Sequence, residues 1–221
     1  MALVAILAIG SRPAAGQYMV SGGYAAPHPE LWVFGGGFFP SSVYTGGSVP
    51  LTFSAADQVA YGAGLSYIGS SGLGGEFTFA RSVTDVSANG ASTGYKNVKV
   101  GSVGFNMYDF DAIFQSSARS KAIGYFEFGL GATDIDNSIP PGTNVGSGGL
   151  RFAYNLGIGV KLKPNINSPI AFRIDGRYRG TYLDRTTNSS TSCSPYYGCW
   201  SYSTNNYSSG VVTGGITYSF K

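Results

Sequence analysis

The feature that most constrains this chain is a repeated alternation of bulky apolar residues with small or polar ones. In the most regular segment, residues 150–162, seven apolar residues alternate with six residues that are small, polar or charged. Successive side chains of a β-strand point to opposite faces. The period of two therefore predicts a strand with one apolar face and one small or polar face.

Similar segments recur along the chain and predict an all-β fold. They cover residues 30–39, 58–67, 73–80, 102–115, 125–130, 150–162, 170–182 and 212–220. Segment 30–39 is apolar on both faces, so its sides stay unassigned. In 102–115 the apolar parity changes, and a β-bulge near Tyr108 and Asp109 would explain the change. The 34 glycines argue against a helical bundle, because glycine is a poor helix former.

The connections between these segments alternate in length. Short connections of about three, five and six residues take turns with long ones of about 16 to 24 residues. Short turns at one end and long loops at the other are typical of outer-membrane barrels, which have an even number of strands. We therefore predict an eight-stranded antiparallel up-and-down transmembrane β-barrel.

The width of such a barrel decides which face lies inside. The interior of eight strands is only wide enough for side chains to fill it, and seven bulky residues per strand would overfill it. The polar face should line the lumen and the bulky face should contact lipid. Charges buried there need partners, so we predict a lumen ion-pair network of Glu76, Asp109, Asp111, Glu127, Arg151, Lys161, Arg173, Asp175, Arg177 and Arg179.

The strand segments and the end of the chain together resemble a known family. Thr213, Gly215, Tyr218 and Phe220 follow the polar, glycine and two-aromatic pattern of an outer-membrane assembly signal, although Lys221 follows the last aromatic residue. The chain resembles the eight-stranded outer-membrane barrel domain of the OmpA and OmpX type. The resemblance implies outer-membrane lipid and the outer-membrane insertion machinery as partners.

The first residues have the character of an export signal. Residues 1–16 have a short apolar core followed by Ala14 and Gly16, small residues suited to signal peptidase, although no Lys or Arg precedes the core. The alternative is an uncleaved anchor or a buried segment. We expect a signal peptide at 1–16, an extended lead-in at 17–29 and the barrel at 30–221, with the protein in a Gram-negative-type outer membrane.

Cys193 and Cys199, the two cysteines, lie six residues apart in a polar stretch. Exported proteins meet oxidising conditions, so we predict a local disulfide, with a pair of free thiols as the alternative. Zinc would need about four ligands, and the lone histidine, His28, is far away in sequence.

The sequence offers little for catalysis or cofactor binding. Acyl-transfer chemistry needs a base beside a nucleophile, and His28 precedes the first strand. Asp134, Asp136 and Asn137 are too few for a calcium site. No run of basic residues predicts a nucleic-acid surface. We expect no enzyme activity, no cofactor, no metal and no nucleic-acid partner.

Two functions fit these expectations. The first is a structural or surface-interaction barrel with a side-chain-filled lumen, whose Ser, Thr, Asn, Gly and Tyr-rich loops contact external surfaces. The alternative is a narrow channel or transporter for small or apolar solutes.

Overall fold

The computed structural model describes residues 26–41, 44–46, 51–90, 95–116, 120–137, 149–182, 192–194, 198–200 and 206–220. These residues form twelve strands: β1 His28–Pro40, β2 Tyr44–Gly46, β3 Leu51–Ala55, β4 Gln58–Ile68, β5 Leu73–Gly90, β6 Tyr95–Gln115, β7 Ala122–Asn137, β8 Gly149–Leu162, β9 Ile170–Tyr182, β10 Ser192–Ser194, β11 Gly198–Trp200 and β12 Asn206–Ser219. Within the described residues, no helix has the length and apolar character of a membrane span.

The eight long strands close into one antiparallel barrel. Their order is β5-β4-β1-β12-β9-β8-β7-β6, and pairing of β5 with β6 closes the ring. The first and last long strands are neighbours, with Glu30 opposite Ser219 and Pro40 opposite Ser209. Closure leaves no open edge around the ring. The predicted eight-stranded antiparallel barrel is therefore confirmed.

The two faces of the strands differ as the alternation predicts. Along β8, Leu150, Phe152, Leu156 and Ile158 point outward and are exposed, whereas Ala153 and Asn155 are buried inside. An outward surface with so many large exposed apolar side chains is expected where lipid is the solvent.

Strand β1, whose sides the sequence left unassigned, places its even-numbered residues inward. Glu30, Trp32 and Phe38 are buried, whereas Leu31 and Val33 are exposed on the outside. A carboxylate cannot face lipid cheaply. Glu30 therefore assigns the lumen side of this strand.

The bulge predicted near Tyr108 and Asp109 is wrong. The pairing of β6 with β5 and with β7 runs through both residues without a register shift. The apolar parity changes because Val103, Phe105 and Met107 point into the lumen. The shifts that do occur in the β5–β6 pairing lie at 86–87 and 88–90.

Those inward residues belong to an apolar layer at one end of the lumen. This end, which we call the loop end, contains the long connections, and the opposite turn end contains the short ones. The buried members of the apolar layer are Phe38, Ala60, Ala80, Val86, Val103, Phe105, Met107, Tyr207 and Val211. The lumen is thus not polar throughout, contrary to our assumption that the bulky face always meets lipid.

A sheet continues beyond the barrel at the loop end. Strand β5 extends to Gly90 and β6 starts at Tyr95, so the long connection expected after Ser82 is mostly a hairpin. Strand β3 pairs with the outer part of β5, and β2 pairs with β3. These segments were expected to be polar connections, but they contain β-branched and aromatic residues, which favour strands. Each of them forms a strand by pairing with an adjacent segment.

Charge placed on the outer face tests its contact with lipid. We expect Leu156→Arg, which lies mid-strand and outward, to lower the free energy of unfolding by about 2–4 kcal/mol. Leu150→Arg, near the loop end of the same face, should cost about 0–1 kcal/mol because arginine there reaches the membrane surface. Urea unfolding in lipid vesicles measures both. Equal losses for the two variants would contradict the lipid-facing assignment.

Candidate functional site

The candidate site is a charged layer that crosses the lumen between the turn end and the apolar layer. Strand β9 supplies charged side chains from four consecutive inward positions, Arg173, Asp175, Arg177 and Arg179. Strands β5, β6 and β7, which are not adjacent to β9 in the ring, supply the carboxylates that pair with these arginines from across the lumen. A lumen of eight strands is narrow enough for these side chains to meet across it.

Arg173 pairs with three carboxylates of the layer. Its Nη1 and Nη2 donate to the two Glu76 oxygens at 2.6 and 3.0 Å. Nη2 also lies 3.0 Å from Glu127 Oε2 and 3.3 Å from Asp175 Oδ2. The Arg173 and Glu76 side chains are fully buried. Two parallel charge-assisted bonds hold the guanidinium in one orientation.

The aromatic side chains of Trp32 and Tyr125 enclose Arg173. Its Cζ lies 3.7 Å from the Trp32 ring centroid and 4.5 Å from that of Tyr125. Its Nε donates to the Tyr125 hydroxyl at 2.6 Å, and that hydroxyl donates to Asp175. These contacts add cation–π attraction and exclude water from the ion pairs.

Arg177 occupies the position between three carboxylates. Oxygens of Glu76, Asp111 and Glu127 lie within 4.8 Å of one another, a spacing that could hold a metal ion. Arg177 pairs with all three, through Nη2 at 2.9 Å, Nη1 at 3.1 Å and Nε at 2.7 Å. Its guanidinium therefore supplies the positive charge that a cation would bring.

Two further ion pairs lie on either side of this centre. Arg179 pairs with Asp109 towards the loop end, and its Nε donates to Thr133 Oγ1 at 3.1 Å. Lys161 pairs with Glu30 towards the turn end. The charged layer thus extends along the barrel axis.

The Lys161–Glu30 pair at the turn end is linked to residues of both the first and the last strand of the barrel. Glu30 Oε1 accepts from Ser219 Oγ at 3.1 Å and lies 3.2 Å from His28 Nε2. Lys161 also donates to Gln115 Oε1 at 3.1 Å. His28, which we expected to precede the first strand, is the first residue of β1 and is partly buried against Glu30.

Glycines on the inward face of β7 make room for the carboxylates of β6. A Cβ built at Gly129 would overlap Asp111 Oδ1, and one at Gly131 would overlap Asp109 Oδ1. The small residues opposite the bulky face are therefore a requirement of the charged layer. They allow long side chains to enter a lumen of fixed width.

The structure brings together most of the residues that the sequence singled out for the lumen. The ion pairs contain Glu76, Asp109, Asp111, Glu127, Lys161, Arg173, Asp175, Arg177 and Arg179. Arg151 is half-buried on the inward face of β8, opposite Thr133.

Glu30 and Trp32, both on β1, are among the members that sequence reasoning missed. The signal that could have found them is a lone carboxylate in an apolar strand, because a charge there must point into the lumen.

The other predicted sites lie on or next to β12, on the β10–β11 hairpin or outside the described residues. In the proposed assembly signal, Thr213 points inward and is buried, while Tyr218 and Phe220 point outward with ring centroids 5.0 Å apart. Residues 1–16 and Lys221 lie outside the described residues, and of Cys193 and Cys199 the structure describes only the backbone.

Comparison with solved structures finds the same barrel in several outer-membrane proteins. The outer membrane protein OprG from Pseudomonas aeruginosa aligns with a TM-score of 0.57 at 12% identity, over 88% of this chain and 97% of OprG. The outer membrane protein AlkL aligns with a TM-score of 0.52 at 13% identity, over 91% and 93%. Neisserial surface protein A aligns with a TM-score of 0.51 at 12% identity, over 87% and 97%.

No family model and no curated protein matches the sequence. At these identities the likeness establishes the fold. The chain is thus an eight-stranded antiparallel barrel of the kind found in outer-membrane proteins such as OprG and AlkL.

Removal of a buried cation tests the energetic role of the charged layer. We expect Arg173→Met to lower the free energy of unfolding by about 3–5 kcal/mol, because Glu76, Glu127 and Asp175 would lose a buried partner. Lys99→Met removes a cation that pairs with Asp85 on the exposed surface, and it should cost less than about 1 kcal/mol. Urea titration of both variants makes the comparison. Similar small losses would show that the charged layer adds little to stability.

Proposed function

We propose that this protein is an outer-membrane barrel with a closed lumen, whose role is structural and whose loop end contacts other surfaces. The supporting observation is the charged layer. It joins inward side chains of β1, β5, β6, β7, β8 and β9 across the lumen. Charged groups paired in this way resist displacement by a solute, since separating them would leave buried charges without partners. We propose no catalytic activity.

The apolar layer provides a second seal above the charged one. The rings of Phe105 and Tyr207 stack with centroids 5.4 Å apart, and Phe38 lies at the same distance from Phe105. Packed side chains of this kind leave little space for a water column. A polar solute would have to cross both layers.

The sheet at the loop end supports a surface-contact role. Among the described residues, strand β6 pairs with β7 from Val103 onward, and its segment 95–102 pairs with the outer half of β5. Lys99 and Val98 are exposed there. Exposed loops carried on a rigid barrel are well placed to bind other molecules.

The surroundings of the barrel follow from the same proposal. The outward apolar face would contact outer-membrane lipid, the turn end would face the periplasm, and the long loops would face the exterior. Export through a signal peptide at 1–16 and assembly by the outer-membrane insertion machinery through the β12 residues complete this proposal.

The apolar layer also supports a second candidate function. Small apolar solutes could enter an apolar interior at the loop end, because transfer from water to apolar surroundings is favourable for them. In that case the protein would be a narrow transporter for such solutes, and the charged layer would close its turn end.

Solute uptake by proteoliposomes separates the two candidates. We expect folded protein to give no more uptake of small ions, sugars or apolar solutes than protein-free vesicles, because both layers of the lumen are filled. An unheated SDS gel confirms folding through a compact band. Apolar uptake that Val211→Trp abolishes and the outward control Val212→Trp preserves would favour the transporter. Uptake of ions or sugars would contradict the closed lumen.

The backbone of the hairpin formed by β10 and β11 supports a disulfide between Cys193 and Cys199. Strands β10 and β11 are antiparallel, and Cys193 lies directly opposite Cys199. Directly opposite residues in antiparallel strands have Cα separations of about 4.5–5.5 Å, within the range that a disulfide bridges.

Thiol labelling tests this bond. In protein exported from cells, we expect alkylating reagent to label neither Cys193 nor Cys199 until a reductant is added. Because β10 and β11 form a two-stranded sheet separate from that of the ring, Cys193→Ser with Cys199→Ser should leave the heat-modifiable gel shift unchanged. Labelling of both thiols in unreduced, denatured protein would show that they are free.

A further inference from the structure

A small cavity lies where the charged layer meets the apolar layer. Its volume is about 20 Å³. Its lining includes the polar side chains of Thr78, Asp109, Asn155, Arg179 and Thr213, and Val211 of the apolar layer. A space of this size holds one water molecule, for which about 10–15 Å³ is needed, and no larger solute.

Two side chains of this cavity have oxygen atoms without a hydrogen-bond partner in the part of the chain that the structure describes. They are Asn155 Oδ1 and Thr213 Oγ1. Both residues are about 96% buried. The amide orientation of Asn155 is determined by its other bond, since Nδ2 donates to Asp111 Oδ1 at 2.7 Å. Leaving such atoms unpaired in a lumen is unfavourable, because each loses the hydrogen bonds that it would make to water.

We propose that this cavity binds one ordered water molecule that bridges β8 and β12. The water donates to Asn155 Oδ1 and accepts from the Thr213 hydroxyl. Both bonds are possible because an amide oxygen is an acceptor and a hydroxyl can donate. Its remaining hydrogen and lone pair face Thr78 and the Arg179–Asp109 pair, which also line the cavity. The site is selective for water through size.

The water would give the charged layer a second link to β12, a strand that contributes no ion pair among the described residues and bonds to the layer through Ser219 Oγ and Glu30. Strand β12 faces the lumen with Thr213, Thr217 and Val211. Asn155 already bonds to Asp111, which pairs with Arg177. The bridge therefore connects β12 with the centre of the layer through Asn155.

Strand β12 offers a matched control for the test. Thr217, four residues from Thr213 on the same inward face, is also buried with an unpaired hydroxyl, but it does not line this cavity. Thr→Val keeps the side-chain shape and removes the hydroxyl. We expect Thr213→Val to reduce the folding equilibrium constant about fivefold, the value of one hydrogen bond. Thr217→Val should leave it unchanged or raise it.

The position of the water is read directly in a high-resolution crystal structure of the folded barrel. Electron density within hydrogen-bond distance of both Thr213 Oγ1 and Asn155 Oδ1, together with a loss specific to Thr213→Val, supports the proposal. An empty cavity overturns it. So does a Thr213→Val variant that is as stable as Thr217→Val, because a dry hydroxyl is no loss when it is removed.

Discussion

The pairing of buried charges inside a narrow lumen is the constraint on which the rest of this structure depends. Arg173 and Arg177 are held by four carboxylates from β5, β6, β7 and β9. Each bond requires that its strands stay in register, since a shift by one residue would turn the charges towards lipid. The network therefore specifies the register of the ring as well as filling its interior.

The same constraint explains the small residues and the arrangement in layers. Gly129 and Gly131 leave the space that Asp111 and Asp109 occupy. Towards the loop end, where ion pairs give way to Phe105, Met107 and Val211, the lumen is closed by apolar packing. At the boundary between the layers, two polar atoms without a hydrogen-bond partner among the described residues lie at a cavity. There the apolar side chains offer no hydrogen bonds to the polar atoms, and the polar side chains do not fill the space.

Much of the fold could be predicted from the sequence because strand periodicity is a local property. The alternation in residues 150–162 and 170–182 depends only on neighbouring residues, and it indicated both the lipid face and the charges of the lumen. The alternation of short and long connections indicated the antiparallel ring. The prediction failed in β6, where Val103, Phe105 and Met107 are apolar but point inward. In β1, which is apolar on both faces apart from Glu30, the alternation assigned no side.

The sequence alone thus determined the strands, their outward face and the set of charges available for pairing. Only the tertiary structure decided which charges meet, since Arg173 and Glu76 are 97 residues apart and come together through closure of the ring. It also decided that Glu30 and Trp32 join them and that an apolar layer closes the loop end. The alternation of odd and even positions distinguishes the two faces of a strand. Whether a face contacts lipid or the lumen depends on the side chains that the other strands place opposite it.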